Sequence, residues 1–128
     1  MSTEIKKTIR DRLPDLPFKR IADEILGADF ELSLVICGDK LAQRMNQEYR
    51  QKSYFPNVLS FPYSKKEGEI FLNMRKAERE ARKYGVSIKS RMGLLFVHGC
   101  FHLAGYDHGV TMERLEQKIL RQFKLESK

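Results

Sequence analysis

Residues 92–108 read MGLLFVHGCFHLAGYDH and contain all three histidines of the 128-residue chain. The first part of this stretch is apolar on nearly all sides of a helix, which predicts a helix that passes through the core. On that helix His98 and His102 lie one turn apart and share a face. Gly105 lets the chain turn and bring His108 beside them. Three imidazoles with a fourth position open are the usual ligands of a catalytic zinc ion.

The spacing of the three histidines and Gly105 matches the motif of the metzincin metallopeptidases. In that motif a glutamate directly follows the first histidine and acts as the general base, but here Gly99 occupies its place. The sequence therefore predicts a zincin-like metal geometry without the base of a peptidase. The nearest carboxylate along the chain is that of Asp107, which could orient a ligand histidine, act as a base or cap the turn.

The composition indicates one basic domain over residues 1–128. Lys and Arg number 24 against 17 Asp and Glu, which gives a net charge of +7, and 41% of the residues are hydrophobic, enough for a single core. Such a charge favours a polyanionic partner, and nucleic acid is the leading candidate. The alternative is that the basic residues only keep the surface soluble.

The two cysteines do not suggest a secreted disulfide framework and favour a reducing compartment. On the predicted helix Cys100 points away from the face that His98 and His102 share, which indicates a core position. Residues 1–12 carry charges throughout, and no apolar stretch approaches the length of a membrane span. We therefore expect a cytoplasmic protein without membrane contact.

Apolar spacing along the chain predicts alternating helices and strands, and hence a small mixed sheet flanked by helices. Helices are predicted from Phe18 to the stop at Gly27, from the cap Asp39 to Tyr49, from the cap Asn73 to Tyr84, from the cap Ser87 into the histidine stretch, and from Thr111 to Phe123. Strands are predicted over 30–36, 58–61 before Pro62, and 69–72.

The predicted helix after Asn73 has a strongly basic side. It carries, opposite an apolar stripe, the residues Arg75, Lys76, Arg79, Arg82 and Lys83, and of these Arg75, Arg79 and Arg82 are the candidates for RNA contacts. Such a run is usually a solvated helix face. Together with the net charge, it also predicts a surface that contacts the phosphates of RNA.

Four blocks of this sequence, in this order, resemble those of the YbeY family, the single-domain bacterial endoribonucleases that mature ribosomal RNA. They are residues 45–50 (MNQEYR), 57–62 (NVLSFP), 68–70 (GEI) and 98–108 (HGCFHLAGYDH). Phe101 stands where the family commonly has leucine, and Pro56 with Asn57 stands where many members have threonine followed by an acid or amide. Residues 1–40 match only in general character.

This resemblance implies an α+β fold in which a buried helix carries the first two ligands of a divalent metal, usually taken as zinc. The ligands would be His98, His102 and His108. Arg50 matches an arginine that the family has in the cleft near the metal, although without the resemblance it would be read as a helix-surface residue. Ser60 lies in the second block and could line the same cleft. Imidazole ligands suit several divalent ions, including nickel, so the metal's identity stays open.

The implied activity is that of a metal-dependent, single-strand-preferring endoribonuclease in ribosomal RNA processing and ribosome maturation. Its partners would be ribosomal RNA, and with it ribosomal subunits or ribosome-associated proteins. The metal would stabilise charge on a phosphoryl oxygen or activate water, with Arg50 offsetting charge on the phosphate. The substrate's own 2′-hydroxyl is an alternative nucleophile. Two other functions stay open, namely a non-enzymatic RNA-binding assembly factor with a structural metal, and a metallohydrolase of other substrates.

Overall fold

The fold is built on a mixed four-stranded sheet with helices on both faces, as a computed structural model describes it for residues 3–126. The described residues form β1 (Thr3–Lys7), α1 (Phe18–Leu26), β2 (Glu31–Cys37), α2 (Asp39–Arg50), β3 (Val58–Ser64), β4 (Glu67–Asn73), α3 (Met74–Tyr84), α4 (Ile88–Leu103) and α5 (Val110–Gln122). The predicted α+β class and mixed sheet are confirmed.

The strands of the sheet run in the order β1-β2-β4-β3. β2 pairs in parallel with both β1 and β4, whereas β3 and β4 form an antiparallel pair joined by a tight turn. The two central strands bury Leu34, Ile36, Ile70 and Leu72 completely on the face that α4 covers. The opposite face packs Val35 and its neighbours against α2. The central strands therefore anchor both layers of helices.

The predicted buried helix is α4, and the structure confirms its position in the core. The Ser87 side chain caps it by accepting a hydrogen bond from the Ser90 N–H. Phe96 at its centre is fully buried and meets the Phe18 ring edge to face, with 5.0 Å between ring centroids. Cys100 is also buried, as expected. Among residues 3–126, no helix combines the length and the apolar character needed to cross a bilayer.

Several element boundaries differ from the predicted ones. β1 has no counterpart in the sequence prediction, because its side chains are largely exposed and only pairing with β2 defines it as a strand. β3 continues through Pro62, which is tolerated because β3 is an edge strand and its register shifts just after that residue. Gly38 is the N-cap of α2, and the Asp39 carboxylate instead accepts hydrogen bonds from Asn73 and Arg79.

Candidate metal centre and its cleft

The C-terminal turns of α4 and the loop that follows bring the three histidines together. His98 and His102 project from one face of the helix, and Gly105, at φ +98°, turns the chain so that His108 packs against both rings. One nitrogen from each ring lies within 4.8 Å of those of the other two. The structure thus assembles the predicted group of residues, which could hold a metal ion.

Hydrogen bonds define the tautomers of the first two rings. The Tyr106 carbonyl can only accept, so His102 Nδ1 donates to it over 3.1 Å. His98 Nδ1 lies 2.6 Å from Glu116 Oε2 and donates to that carboxylate. In neutral rings both Nε2 atoms are then left with lone pairs, and these two atoms are 3.0 Å apart.

Two facing lone pairs at that distance repel unless a proton or a cation lies between them. Burial and the neighbouring His98 lower the pKa of His102. A cation relieves the repulsion, since zinc–nitrogen bonds of 2.0–2.1 Å at tetrahedral angles separate ligand nitrogens by about 3.4 Å. The donor set therefore fits a divalent metal ion, if the His98 and His102 nitrogens separate slightly and the most distant pair of ligand nitrogens, now up to 4.8 Å apart, moves closer.

Glu116 is the residue of this centre that the sequence reasoning missed. It lies on α5, is 6% exposed, and bonds to His98 from the side opposite the other histidines. A signal was available, because Glu116 falls one turn after the buried Met112 and interrupts the apolar stripe of α5. Asp107, the carboxylate considered from the sequence, is exposed on the loop. The carboxylate that is bonded to His98 and can orient its ring is that of Glu116.

The histidines lie in a cleft of about 850 Å³ that is also lined by Arg50 and Ser60. Arg50 ends α2, where Gln51 adopts a left-handed conformation and turns the chain toward β3. Its side chain is exposed. Both residues that the sequence assigned to the metal's surroundings therefore face the same space as the histidines.

Gly99 lies where α4 crosses β3 at close range. A Cβ at this position would come within 3.1 Å of Ser60 Oγ and within 3.3 Å of side-chain carbons of Val58 and Ile70. Ser60 Oγ uses this approach to donate a 3.0 Å hydrogen bond to the Gly99 carbonyl. A glutamate here would press its Cβ against these side chains, so the close crossing disfavours the base of a metallopeptidase at this position.

The three arginines of α3 lie outside the cleft. Arg75 binds Asp11 and Glu78, and Arg79 makes two hydrogen bonds to Asp39, of 2.9 and 3.0 Å. The Arg79 contact, followed by that of Asn73, lowers the pKa of Asp39. Arg82 is exposed. The predicted RNA contacts of these arginines stay a prediction, and two of them already have carboxylate partners.

Two other basic residues line the cleft. Lys76 on α3 belongs to the basic side of that helix which the sequence predicted to contact phosphates, whereas Arg91 on α4 was assigned no role. Arg91 precedes His98 by seven residues, which places both on the same face of α4. That spacing was a usable signal. The position of Lys76 could not be read in this way, because it depends on how α3 packs against the loop before β3.

Comparison with known proteins gives a consistent result over nearly the whole chain. A family sequence profile described as "Endoribonuclease YbeY" matches residues 2–124. A protein of that name from Mycoplasma mycoides is 40% identical over 114 residues, which cover 77% of this chain and 70% of the relative. Relatives of the same name from Mycoplasma capricolum and Heliobacterium modesticaldum are 45% and 39% identical, over 71% and 73% of this chain and 68% and 69% of theirs.

A solved structure agrees with the fold. The solution structure of a protein from Thermotoga maritima superposes with a TM-score of 0.67, covering 94% of this chain and 88% of its own. Only 20% of the aligned residues are identical, so this likeness concerns the arrangement of helices and strands.

Proposed function

The chain belongs to the YbeY family of endoribonucleases, and from this premise we propose that it is a metal-dependent endoribonuclease that cleaves single-stranded RNA in ribosomal RNA processing. One observation carries the proposal. Three histidine nitrogens lie within 4.8 Å of one another, in a cleft that an arginine also lines. A cation site beside a guanidinium suits a phosphodiester, because the charge that develops on its oxygens can be stabilised from two sides.

His98, His102 and His108 are proposed to hold one divalent ion, for which zinc is the best candidate among metals that accept three imidazoles. When bound, such an ion supplies Lewis-acid stabilisation of charge on a phosphoryl oxygen. Glu116 and the Tyr106 carbonyl hold the first two rings in the tautomer that turns Nε2 toward the ion. These contacts fix the ligands before the metal arrives.

Arg50 is proposed to bind the phosphate at the scissile bond. It extends from the end of α2 into the same cleft as the histidines, and its planar guanidinium can donate to two phosphate oxygens at once. The charge that it offsets develops whether the 2′-hydroxyl of the substrate or water attacks. Ser60 supports the site indirectly, because its bond to the Gly99 carbonyl holds α4 against β3 one residue after His98.

RNA as substrate follows from charge and from the size of the cleft. The chain carries a net charge of +7, and the cleft is large enough for more than the phosphate at the metal. Ribosomal RNA, ribosome-associated partners and action in the cytoplasm are further parts of the proposal, as is one domain over residues 1–128. Additional phosphate contacts outside the cleft are proposed for Arg75, Arg79 and Arg82. Replacing these arginines should then lower the salt dependence of RNA binding.

The proposal is tested by metal analysis and RNA cleavage with the parent, His102→Ala, Arg50→Gln and the control Arg44→Gln. Arg44 lies on the same helix as Arg50, is exposed, and is not among the described residues that line the cleft. We expect His102→Ala to lose both metal and cleavage, and Arg50→Gln to keep metal and fold but lose cleavage. The control should match the parent.

Other outcomes would contradict the proposal in different ways. Metal-loaded parent protein that binds RNA but leaves it intact would favour a non-enzymatic assembly factor. Turnover of peptides or small esters without cleavage of RNA would indicate a different metallohydrolase. Full metal content in His102→Ala would refute the three-histidine site.

A further inference from the structure

The cleft extends well beyond the metal site. Arg91 and His98 lie on the same face of α4 and both line the cleft, seven residues apart. At 1.5 Å of rise per residue this spacing separates their backbones by about 10 Å along the helix. A phosphate held at the histidines and Arg50 therefore leaves the Arg91 end of the cleft available to another part of the substrate.

The Arg91 guanidinium is held in place by Glu80 and Tyr84. Its Nε and Nη2 each lie 2.9 Å from Glu80 Oε1, and its centre lies 5.0 Å from the centroid of the Tyr84 ring. Glu80 is itself fixed by the Asn57 amide, which donates to both carboxylate oxygens over 3.2 and 3.3 Å. Arg91 is 18% exposed, so it gives up little side-chain freedom when a ligand binds.

Glu80 occupies two of the five N–H donors of Arg91 and does not itself line the cleft. The remaining donors are available to a ligand in the cleft. Because Glu80 is not among the described residues that line the cleft, it positions Arg91 without adding a carboxylate to that lining.

Lys76 and Tyr54 also line the cleft, and Lys76 lies on α3 one turn before Glu80, the partner of Arg91. Lys76 Nζ donates to the Phe55 carbonyl and lies 5.8 Å from the centroid of the Tyr54 ring. Tyr54 is 51% exposed, and its loop is tied to α2 because the buried Asn46 amide donates to the Tyr54 carbonyl over 3.1 Å. An exposed ring on a fixed loop beside a lysine, in a cleft that Arg91 also lines, is an arrangement suited to single-stranded nucleic acid.

We infer that Tyr54, Lys76 and Arg91 form a subsite for a nucleotide that neighbours the cleaved phosphodiester, with its base on Tyr54 and its phosphate between Lys76 and Arg91. This inference rests on the proposed function and names the part of the RNA that the cleft binds beyond the reacting phosphate. An unpaired base is required, because a base within a duplex cannot lie flat on the Tyr54 ring. The subsite thus gives a physical origin to a preference for single strands.

The experiment compares two substrates with the parent, Tyr54→Leu, Lys76→Gln and the control Lys89→Gln, an exposed lysine of α4 outside the described lining of the cleft. One substrate is a diribonucleotide with only the scissile phosphate, and the other is an unstructured RNA of about eight nucleotides. We expect Tyr54→Leu and Lys76→Gln each to lower kcat/KM on the longer RNA roughly tenfold, since one stacked base or phosphate contact contributes at that level. Cleavage of the diribonucleotide should change less than about twofold, because it does not reach the subsite.

A binding measurement separates this inference from the proposed function. Fluorescence anisotropy with the labelled longer RNA, in the presence of a chelator, reports the subsite without cleavage. Lys76→Gln should reduce the dependence of log K on log salt by about 0.7, and Lys89→Gln should leave it unchanged. Weaker binding by the variants supports the subsite even if the parent cleaves neither RNA, a result that would overturn only the proposed function.

Two results would overturn the subsite. The first is that both Tyr54→Leu and Lys76→Gln bind and cleave the longer RNA as well as the parent does. The second is an equal loss on both substrates, which would place these residues at the reacting phosphate. Arg91→Gln is a weaker test because it also breaks the ion pair with Glu80, so its melting temperature must be compared with that of the parent.

Discussion

Replacement of Glu116 should weaken metal binding without moving a metal ligand. In Glu116→Gln the amide oxygen can still accept a hydrogen bond from His98 Nδ1, but the negative charge is lost. In Glu116→Leu the acceptor is lost as well, and the imidazole is free to rotate or change tautomer. The expected order of metal affinity is therefore parent, then Gln, then Leu.

The magnitude follows from the geometry of this contact. The 2.6 Å separation and the 6% exposure of Glu116 describe a charge-assisted hydrogen bond that is shielded from water. Loss of the groups that orient a metal-binding histidine typically costs 10–100-fold in affinity. We expect about tenfold for Gln and about a hundredfold for Leu, which correspond to about 1.4 and 2.7 kcal/mol of binding free energy.

The measurement is a zinc competition titration against a chromophoric chelator. Glu113→Gln is the matched control, because Glu113 lies one turn earlier on α5 and is exposed. Thermal unfolding in excess chelator shows whether each variant is folded without metal. If a folded Glu116→Leu variant bound zinc as tightly as the parent, the orienting role of Glu116 would be refuted. If Glu113→Gln lost as much zinc affinity as the Glu116 variants, the effect would be one of general charge rather than of orientation.

The remaining predictions concern stability. Gly99→Glu should lower the unfolding free energy by at least about 3 kcal/mol in chemical denaturation, because the carboxylate has no room against β3, while Lys89→Glu on the exposed side of α4 should cost little. Phe96→Ala should lower it by about 3–5 kcal/mol, because a fully buried ring leaves a cavity under α4. The contact with Arg79 lowers the pKa of Asp39 in the folded protein below its ordinary value of 3.8. The ionised Asp39 should therefore contribute its full stabilisation of the fold above pH 3.8, and this contribution should be lost as the pH falls through the folded pKa. Asp39→Asn should flatten acid unfolding curves in this range and leave less stability at neutral pH, and an unchanged acid limb would contradict the assignment.

The sequence predicted the elements whose pattern is local. The apolar run of α4 and the histidine spacing depend on helix periodicity alone, and both appear in the structure as expected. β1 escaped prediction because it buries almost no side chain, and its identity as a strand comes from backbone pairing with residues far along the chain. Periodicity carries no signal for such an element.

The residues of the site likewise divide into those that a local sequence pattern predicted and one that depends on a long-range contact. The sequence blocks that resemble the family contain the three histidines, Arg50 and Ser60. Glu116 lies outside these blocks, on α5, which begins after the loop and packs back on α4 so that Glu116 reaches His98. The charge of Glu116 within an apolar stripe shows that it needs a partner, but not which one. The partner is determined by how α5 packs on α4, which is a tertiary contact.

Gly99 and Glu116 together explain why a metallopeptidase spacing accompanies a different chemistry. The close crossing of α4 over β3 favours a residue without Cβ directly after His98, and it disfavours a carboxylate at the position of the peptidase base. The carboxylate that the centre does contain is bound to His98 Nδ1, on the edge of the ring away from Nε2. In the proposed site it would act on the orientation and basicity of a metal ligand rather than on a substrate proton. The proposed site offers charge stabilisation by a cation and Arg50, which suits phosphodiester cleavage because its transition state gathers negative charge on the phosphoryl oxygens. The attacking hydroxyl or water also loses a proton in that reaction, and a group other than Glu116 has to accept it.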